Sequence, residues 1–106
     1  GGIGAHPDDI AHMRRTAHRL FGDDMVWSAL GAGAHQRRVA ATVVSGGGHV
    51  RVGLEDSLWP GPGTLSASNA EQVRTAVTLI ETLGCRAATP EEVRTMLCLP
   101  NQKIAA

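Results

Sequence analysis

The sequence predicts an α/β fold in which two parallel strands lie in one sheet with helices packed over it. Three observations carry this. Segments with helical periodicity and capping signals alternate along the chain with two short apolar runs suited to strands. A helical segment separates those runs, and strands joined by such a crossover run parallel. The stretch Gly46-Gly47-Gly48-His49-Val50-Arg51-Val52-Gly53-Leu54-Glu55-Asp56-Ser57 reads as a glycine turn, a strand, and two adjacent carboxylates at the strand's end. In that strand Val50, Val52 and Leu54 share one face, while His49, Arg51, Gly53 and Glu55 share the other. Flanking helices assign the apolar face to packing and the polar face to whatever the sheet encloses. Carboxylates at the C-terminal end of such a strand stand where α/β barrels keep their chemistry.

The elements follow in order. Gly1-Gly2-Ile3-Gly4-Ala5 has no periodicity and reads as the exit from a strand lying upstream. His6-Pro7-Asp8-Asp9 starts a helix, since proline suits the first helical position and two acids complement the first turn. Ile10, Met13, Ala17, Leu20 and Phe21 give it an apolar stripe, and Gly22 closes it. Met25 to Leu30 reads as a buried strand, and Gly31-Ala32-Gly33 turns into a helix from about Ala34 to Ser45 with Val39, Ala40, Val43 and Val44 on its apolar side. After the carboxylates, Asp56 to Ala67 is a loop marked by Pro60-Gly61-Pro62-Gly63. Ser68-x-x-Glu71 is a capping box opening a helix with Val73, Ala76, Val77, Ile80 and Leu83 on one face, stopped by Gly84. Thr89-Pro90-Glu91-Glu92 caps a short last helix that ends before Pro100, and residues 100–106 form a frayed tail. The order is helix, strand, helix, strand, helix, short helix. Two strands leave two unpaired edges, so the pattern describes part of a larger sheet.

Composition narrows the function classes. The 106 residues are 42% apolar and 19% charged with a formal net charge of zero, which suits one globular domain and gives no basic field for nucleic acid or anionic lipid. No apolar run approaches a membrane span, and no basic region followed by an apolar core marks a secretory leader. Cys85 and Cys98 lack metal-type spacing and are expected as reduced thiols of a cytoplasmic protein.

The run Gly47-Gly48-His49-Val50-Arg51-Val52-Gly53-Leu54-Glu55-Asp56 resembles the signature at the last barrel strand of the β-keto acid cleavage enzymes, whose type member is the 3-keto-5-aminohexanoate cleavage enzyme. The similarity continues through Gly63-x-Leu65, Ser68-Asn69-Ala70-Glu71-Gln72-Val73 and Ala88-Thr89-Pro90-Glu91-Glu92-Val93-Arg94, and upstream in Trp27-Ser28-x-Leu30-Gly31-x-Gly33-x-x-Gln36. It implies that the chain is the C-terminal part of a single (β/α)8 TIM-barrel domain, beginning just after the sixth strand and belonging to a homo-oligomer. It also implies a zinc-dependent acyl transfer, in which a β-keto acid and acetyl-CoA give acetoacetate and a new acyl-CoA. Carried over, Glu55 is a zinc ligand, and Asp56 with Arg51 forms the dyad that removes a proton from the substrate's methylene. The family's His-x-His zinc pair does not occur here, so the 106-residue chain alone is expected to be inactive.

The residue types suit that chemistry. A β-keto acid offers ketone and carboxylate oxygens to a Lewis acid, and zinc accepts carboxylate ligands. Glu55 and Asp56 are not forced onto one face, so one can bind metal while the other acts as base. Along an extended strand Arg51 lies about 13 Å from Glu55, so contact between Arg51 and Asp56 depends on strand curvature. His35 and Gln36 are binding candidates because they follow a strand's C-terminal end; Gly31-Ala32-Gly33 is either a tight turn or an anion contact for a CoA phosphate; Leu58-Trp59 is either a pocket wall or plain packing. Two other readings stand beside the main one: a different metal-assisted barrel carbon–carbon lyase, of the class II aldolase kind, and a non-catalytic remnant serving as an oligomeric or partner-binding scaffold.

Overall fold

The computed structural model describes residues 2–100. Helix α1 spans Pro7–Phe21, strand β1 Ser28–Ala29, helix α2 Gln36–Ser45 after a single 3-10 turn at Gly33–His35, strand β2 His49–Val50, helix α3 Asn69–Thr82 and helix α4 Pro90–Met96. The order matches the expectation, and β1 and β2 pair in parallel with Ser28 opposite His49 and Ala29 opposite Val50. Past Pro100, the expected frayed tail lies outside the described residues.

Capping fixes the helix ends as the sequence predicts, with one change. His6 Nδ1 accepts from the Asp8 N–H at 3.1 Å to start α1. Ser68 Oγ accepts from the Glu71 N–H at 3.1 Å, but the Glu71 carboxylate reaches one residue further back and accepts from the Ala67 N–H. At α4 the Thr89–Glu92 box closes in both directions. Helix α2 ends in a Schellman motif, in which the Gly48 N–H donates to Val43 C=O at 2.9 Å and the Gly47 N–H to Val44 C=O at 3.0 Å. Gly47 takes the left-handed turn at φ +79° that this motif needs. Gly48 serves differently: a Cβ there would lie 2.6 Å from the Trp27 ring, so the bare backbone lets the indole lie across the start of β2.

The core is small. Ile10 of α1 meets Val39 and Val43 of α2, and Ala5, Trp27, Ala29 and Val50 pack around them. Arg14 lies over the Trp27 ring at 5.9 Å from its centroid, fastening α1 to the residues before β1. Helix α2 also packs against α3, where Ala40 and Ala76 are buried. The predicted stripes are only partly covered: Ala17, Val44, Val77 and Ile80 are half-buried, while Met13, Leu20, Phe21, Val73 and Leu83 are exposed, as are Val93 and Met96 of α4. Helix α4 stands off the sheet across a cavity of about 980 Å³ lined by Trp27, Ile80, Val93 and Met96. The strands are also shorter than predicted. Met25–Leu30 contributes only two paired residues, because the ladder exists only where β1 and β2 overlap.

Helix α4 is held at its start by charge. Arg86 grips Glu92 through two hydrogen bonds, Nη1 to Oε2 at 2.8 Å and Nη2 to Oε1 at 2.6 Å, while the Thr89 N–H donates to Oε2 at 2.8 Å. These contacts, Arg86 first, hold the Glu92 carboxyl well below its ordinary value, at about 2. A carboxyl depressed on folding stabilises the folded form above its unfolded value, and that support is lost as it protonates. The stability this carboxylate contributes is therefore full above about pH 4.5, declines below it, and is gone once the folded carboxyl itself protonates near pH 2, where the cap is lost. A pH titration of the Glu92 carboxyl carbon by NMR checks this: a midpoint at the ordinary value would show that Arg86 does not hold it.

Candidate functional site

Beyond Val50 the chain stays extended for two residues, and the Arg51 N–H donates to Ala29 C=O at 3.4 Å. It does not continue as the straight strand predicted through Glu55. At Gly53 it leaves the sheet, and the Asp56 and Ser57 N–H groups both fold back onto Gly53 C=O, at 3.2 and 3.1 Å. Leu54, Glu55 and Asp56 therefore sit in a turn. The reason is local: β1 offers no ladder partner beyond Ala29 and Leu30, and glycine permits the bend.

The turn brings together the three residues singled out from sequence. Arg51 Nε donates to Asp56 Oδ2 at 2.9 Å and its Nη2 to Asp56 Oδ1 at 3.4 Å, while Nη2 also meets Glu55 Oε2 at 2.5 Å. The extended-strand separation of about 13 Å does not apply, because the chain has doubled back. The two carboxylates differ in setting. The Asp56 side chain is 11% exposed and doubly held, whereas that of Glu55 is 84% exposed and touches the arginine through one oxygen. A shielded, oriented carboxylate suits proton transfer, and an open one suits a ligand. The donor set is partial: among the described residues no three histidine, cysteine, aspartate or glutamate side chains cluster to hold a metal. Glu55 presents one open carboxylate, a group of the kind that ligates metal ions.

The other candidates fall elsewhere. Gly31 is buried, and a Cβ there would press within 2.7 Å of Val39, so close packing accounts for the first glycine of that turn. The Gly33 N–H donates to Asp56 C=O at 2.7 Å, so this turn buttresses the carboxylate turn. Trp59 and His35 line a cavity of about 730 Å³ between α2 and α3, together with Gln36, Arg37 and Arg38; Arg51, Glu55 and Asp56 are not among its walls. Trp59 therefore faces the cavity between the helices, and the carboxylates lie outside it, in the turn beyond β2. His49, at the start of β2, is exposed. Asn69 and Gln72 belong to the run at residues 68–73 that opens α3 and carries part of the family resemblance, but neither is a site candidate from sequence; both hydrogen-bond to the carboxylate-bearing segment or its flank. A composition-level reading has no signal for this, because a polar residue in a first helical turn ordinarily faces solvent.

Comparison with known proteins points to one family. A family model described as beta-keto acid cleavage enzyme matches residues 1–99. A 3,5-dioxohexanoate:acetyl-CoA acetone transferase of Paraburkholderia graminis is 60% identical over 99 residues, covering 93% of this chain and 32% of that protein. A 3-keto-5-aminohexanoate cleavage enzyme of Fusobacterium nucleatum is 45% identical over 73 residues, 69% of this chain and 27% of that protein. A 3-dehydrocarnitine:acetyl-CoA trimethylamine transferase of Rhizobium meliloti is 39% identical over 93 residues, 88% of this chain and 30% of that protein. The chain spans about a third of the length of these curated relatives.

Proposed function

The chain belongs to the beta-keto acid cleavage enzyme family, and from that premise we propose that it forms the C-terminal part of a single (β/α)8 domain catalysing acyl transfer between a β-keto acid and acetyl-CoA. The products are acetoacetate and a new acyl-CoA. What carries this reading is the unequal carboxylate pair: Asp56 shielded and held by Arg51, Glu55 open beside it. A barrel is supported by two neighbouring parallel strands joined through α2, with the carboxylates beyond the C-terminal end of β2.

Bound zinc supplies Lewis-acid polarisation of a keto acid's oxygens, with Glu55 as one of its ligands. Asp56 takes the proton from the methylene between the substrate's 3-keto group and its carboxylate. Arg51 fixes the direction of the Asp56 carboxylate through two hydrogen bonds and balances part of the negative charge of the pair. Similarity suggests the substrate to try first: the relative at 60% identity is a 3,5-dioxohexanoate:acetyl-CoA acetone transferase, so 3,5-dioxohexanoate is that keto acid. The free, exposed thiols Cys85 and Cys98 support a reducing, cytoplasmic setting. The uncovered apolar faces fit a chain whose helices and strands pack against the rest of a barrel; a homo-oligomer is proposed from the family resemblance alone.

The test is product analysis of the whole enzyme with 3,5-dioxohexanoate, with and without acetyl-CoA. Acetoacetate and a new acyl-CoA are expected only when the thioester is present. Carbon–carbon cleavage without acetyl-CoA would replace this reading with a metal-assisted lyase. Complete inertness with a panel of β-keto acids would replace it with a scaffold.

A further inference from the structure

The turn that carries Glu55 and Asp56 is short and begins at a glycine, so its own two hydrogen bonds do not hold it rigid. Its backbone is gripped from the helix layer instead. The Gly53 N–H donates to Gln36 Oε1 at 3.2 Å, and the Leu54 N–H donates to Asn69 Oδ1 at 2.7 Å. Gln36 Nε2 donates to Gln72 Oε1 at 3.0 Å, and Gln72 Nε2 donates to Ser57 C=O at 2.6 Å and to Ser66 Oγ at 2.9 Å. Gln36 and Gln72 are both buried at the α2–α3 contact. We infer that Gln36, Gln72 and Asn69 are positioning residues that hold the Gly53–Ser57 turn, and through it the Asp56 carboxylate, in a fixed place. This inference rests on the role given to Asp56 above.

The chemistry of the chain of amides makes the arrangement specific. At one end stands a backbone N–H, which only donates; at the other stands a backbone carbonyl, which only accepts. Those two ends fix the orientation of both glutamine amides between them. A glutamate at position 72 keeps the shape and loses the donor. It would also set a carboxylate against the Ser57 carbonyl. Buried amides left unpaired are costly, so reversing either glutamine amide, which would leave donors facing donors, is disfavoured. Displacing a catalytic group by about 1 Å costs on the order of 10²-fold in rate, and that is the loss a slack turn should produce.

The experiment uses the whole enzyme with β-keto acid and acetyl-CoA, comparing Gln72→Glu, Asn69→Ala and Asn69→Asp with the parent. Asn69 lies at an exposed helix start, so its variants probe the clamp should Gln72→Glu fail to fold. The expected result is a kcat lowered roughly 10²-fold in Gln72→Glu and Asn69→Ala, with KM within a few-fold. Amide hydrogen exchange should speed up over residues 53–57 and not elsewhere, and Asn69→Asp, which keeps the acceptor, should regain most of the rate. An Asn69→Ala enzyme with parental kcat, or one whose loss Asn69→Asp does not repair, overturns the inference. So does a loss accompanied by faster exchange throughout the helices, which marks a purely structural role. Asp56→Asn in the same assay separates the two levels: if it is inactive while Asn69→Ala is normal, only the positioning role fails. If Asp56→Asn is as fast as the parent, or the parent itself transfers no acyl group, the reading of the site fails and takes this inference with it.

Discussion

Asp56→Asn is expected to abolish most turnover in the whole enzyme while leaving its zinc content unchanged. The amide is the same size as the carboxylate and can still meet one nitrogen of Arg51, so the turn keeps its shape. It cannot take up a proton from carbon. Removing a positioned general base costs roughly 10²–10⁴-fold in rate, and the shielding of Asp56 from solvent leaves little room for a water to replace it. Glu55→Gln should do the opposite: it should lower zinc content first, since an amide is a poorer ligand than a carboxylate, and lose activity in proportion to the zinc lost. The pair is measured together, by metal analysis and by rate at saturating keto acid. An Asp56→Asn enzyme at near-normal rate would remove the base assignment. A Glu55→Gln enzyme with full zinc would remove the ligand assignment.

The second large effect concerns the 106-residue chain by itself, which is expected to self-associate. Its accessible surface is 7800 Å², whereas a folded monomer of this mass exposes about 5,700 Å². Its radius of gyration is 15.2 Å, against about 13 Å for a compact chain of this length. The excess, on the order of 2,000 Å² on one chain, is more than twice the roughly 800 Å² that each partner buries in a standard protein interface. Much of it is apolar, from Leu20 and Phe21 at the end of α1 to Leu65 and Leu97. Among the described residues, strands β1 and β2 pair with each other alone, so each offers a free edge to another chain. Sedimentation velocity over a range of concentrations checks this, with a mass that should rise well above 11.1 kDa. A monomer with a sharp thermal transition independent of concentration would contradict it.

Much of this was legible in the residues. Local signals depend on atoms a few positions apart: Pro7 and the acids after it, the Gly46–Gly48 stop, and the Thr89 box all act within one turn of helix. The element order and the parallel pairing followed from them. The identity of the site residues came through the resemblance of the Gly47–Asp56 run to a family motif, since adjacent carboxylates alone are as readily a solvated strand end. What the sequence determined by itself was thus the elements, their order and the residues worth watching. Tertiary structure decided the rest. Whether Met13, Phe21 or Val73 is buried depends on what lies opposite, and for these nothing in the chain does. Whether Arg51 reaches Asp56 depended on where the sheet stops pairing and Gly53 turns the chain back. The bridge from Gln36 to Gln72 spans 36 positions. Such a contact leaves no periodic trace, because its partners meet only after α2 and α3 have packed side by side.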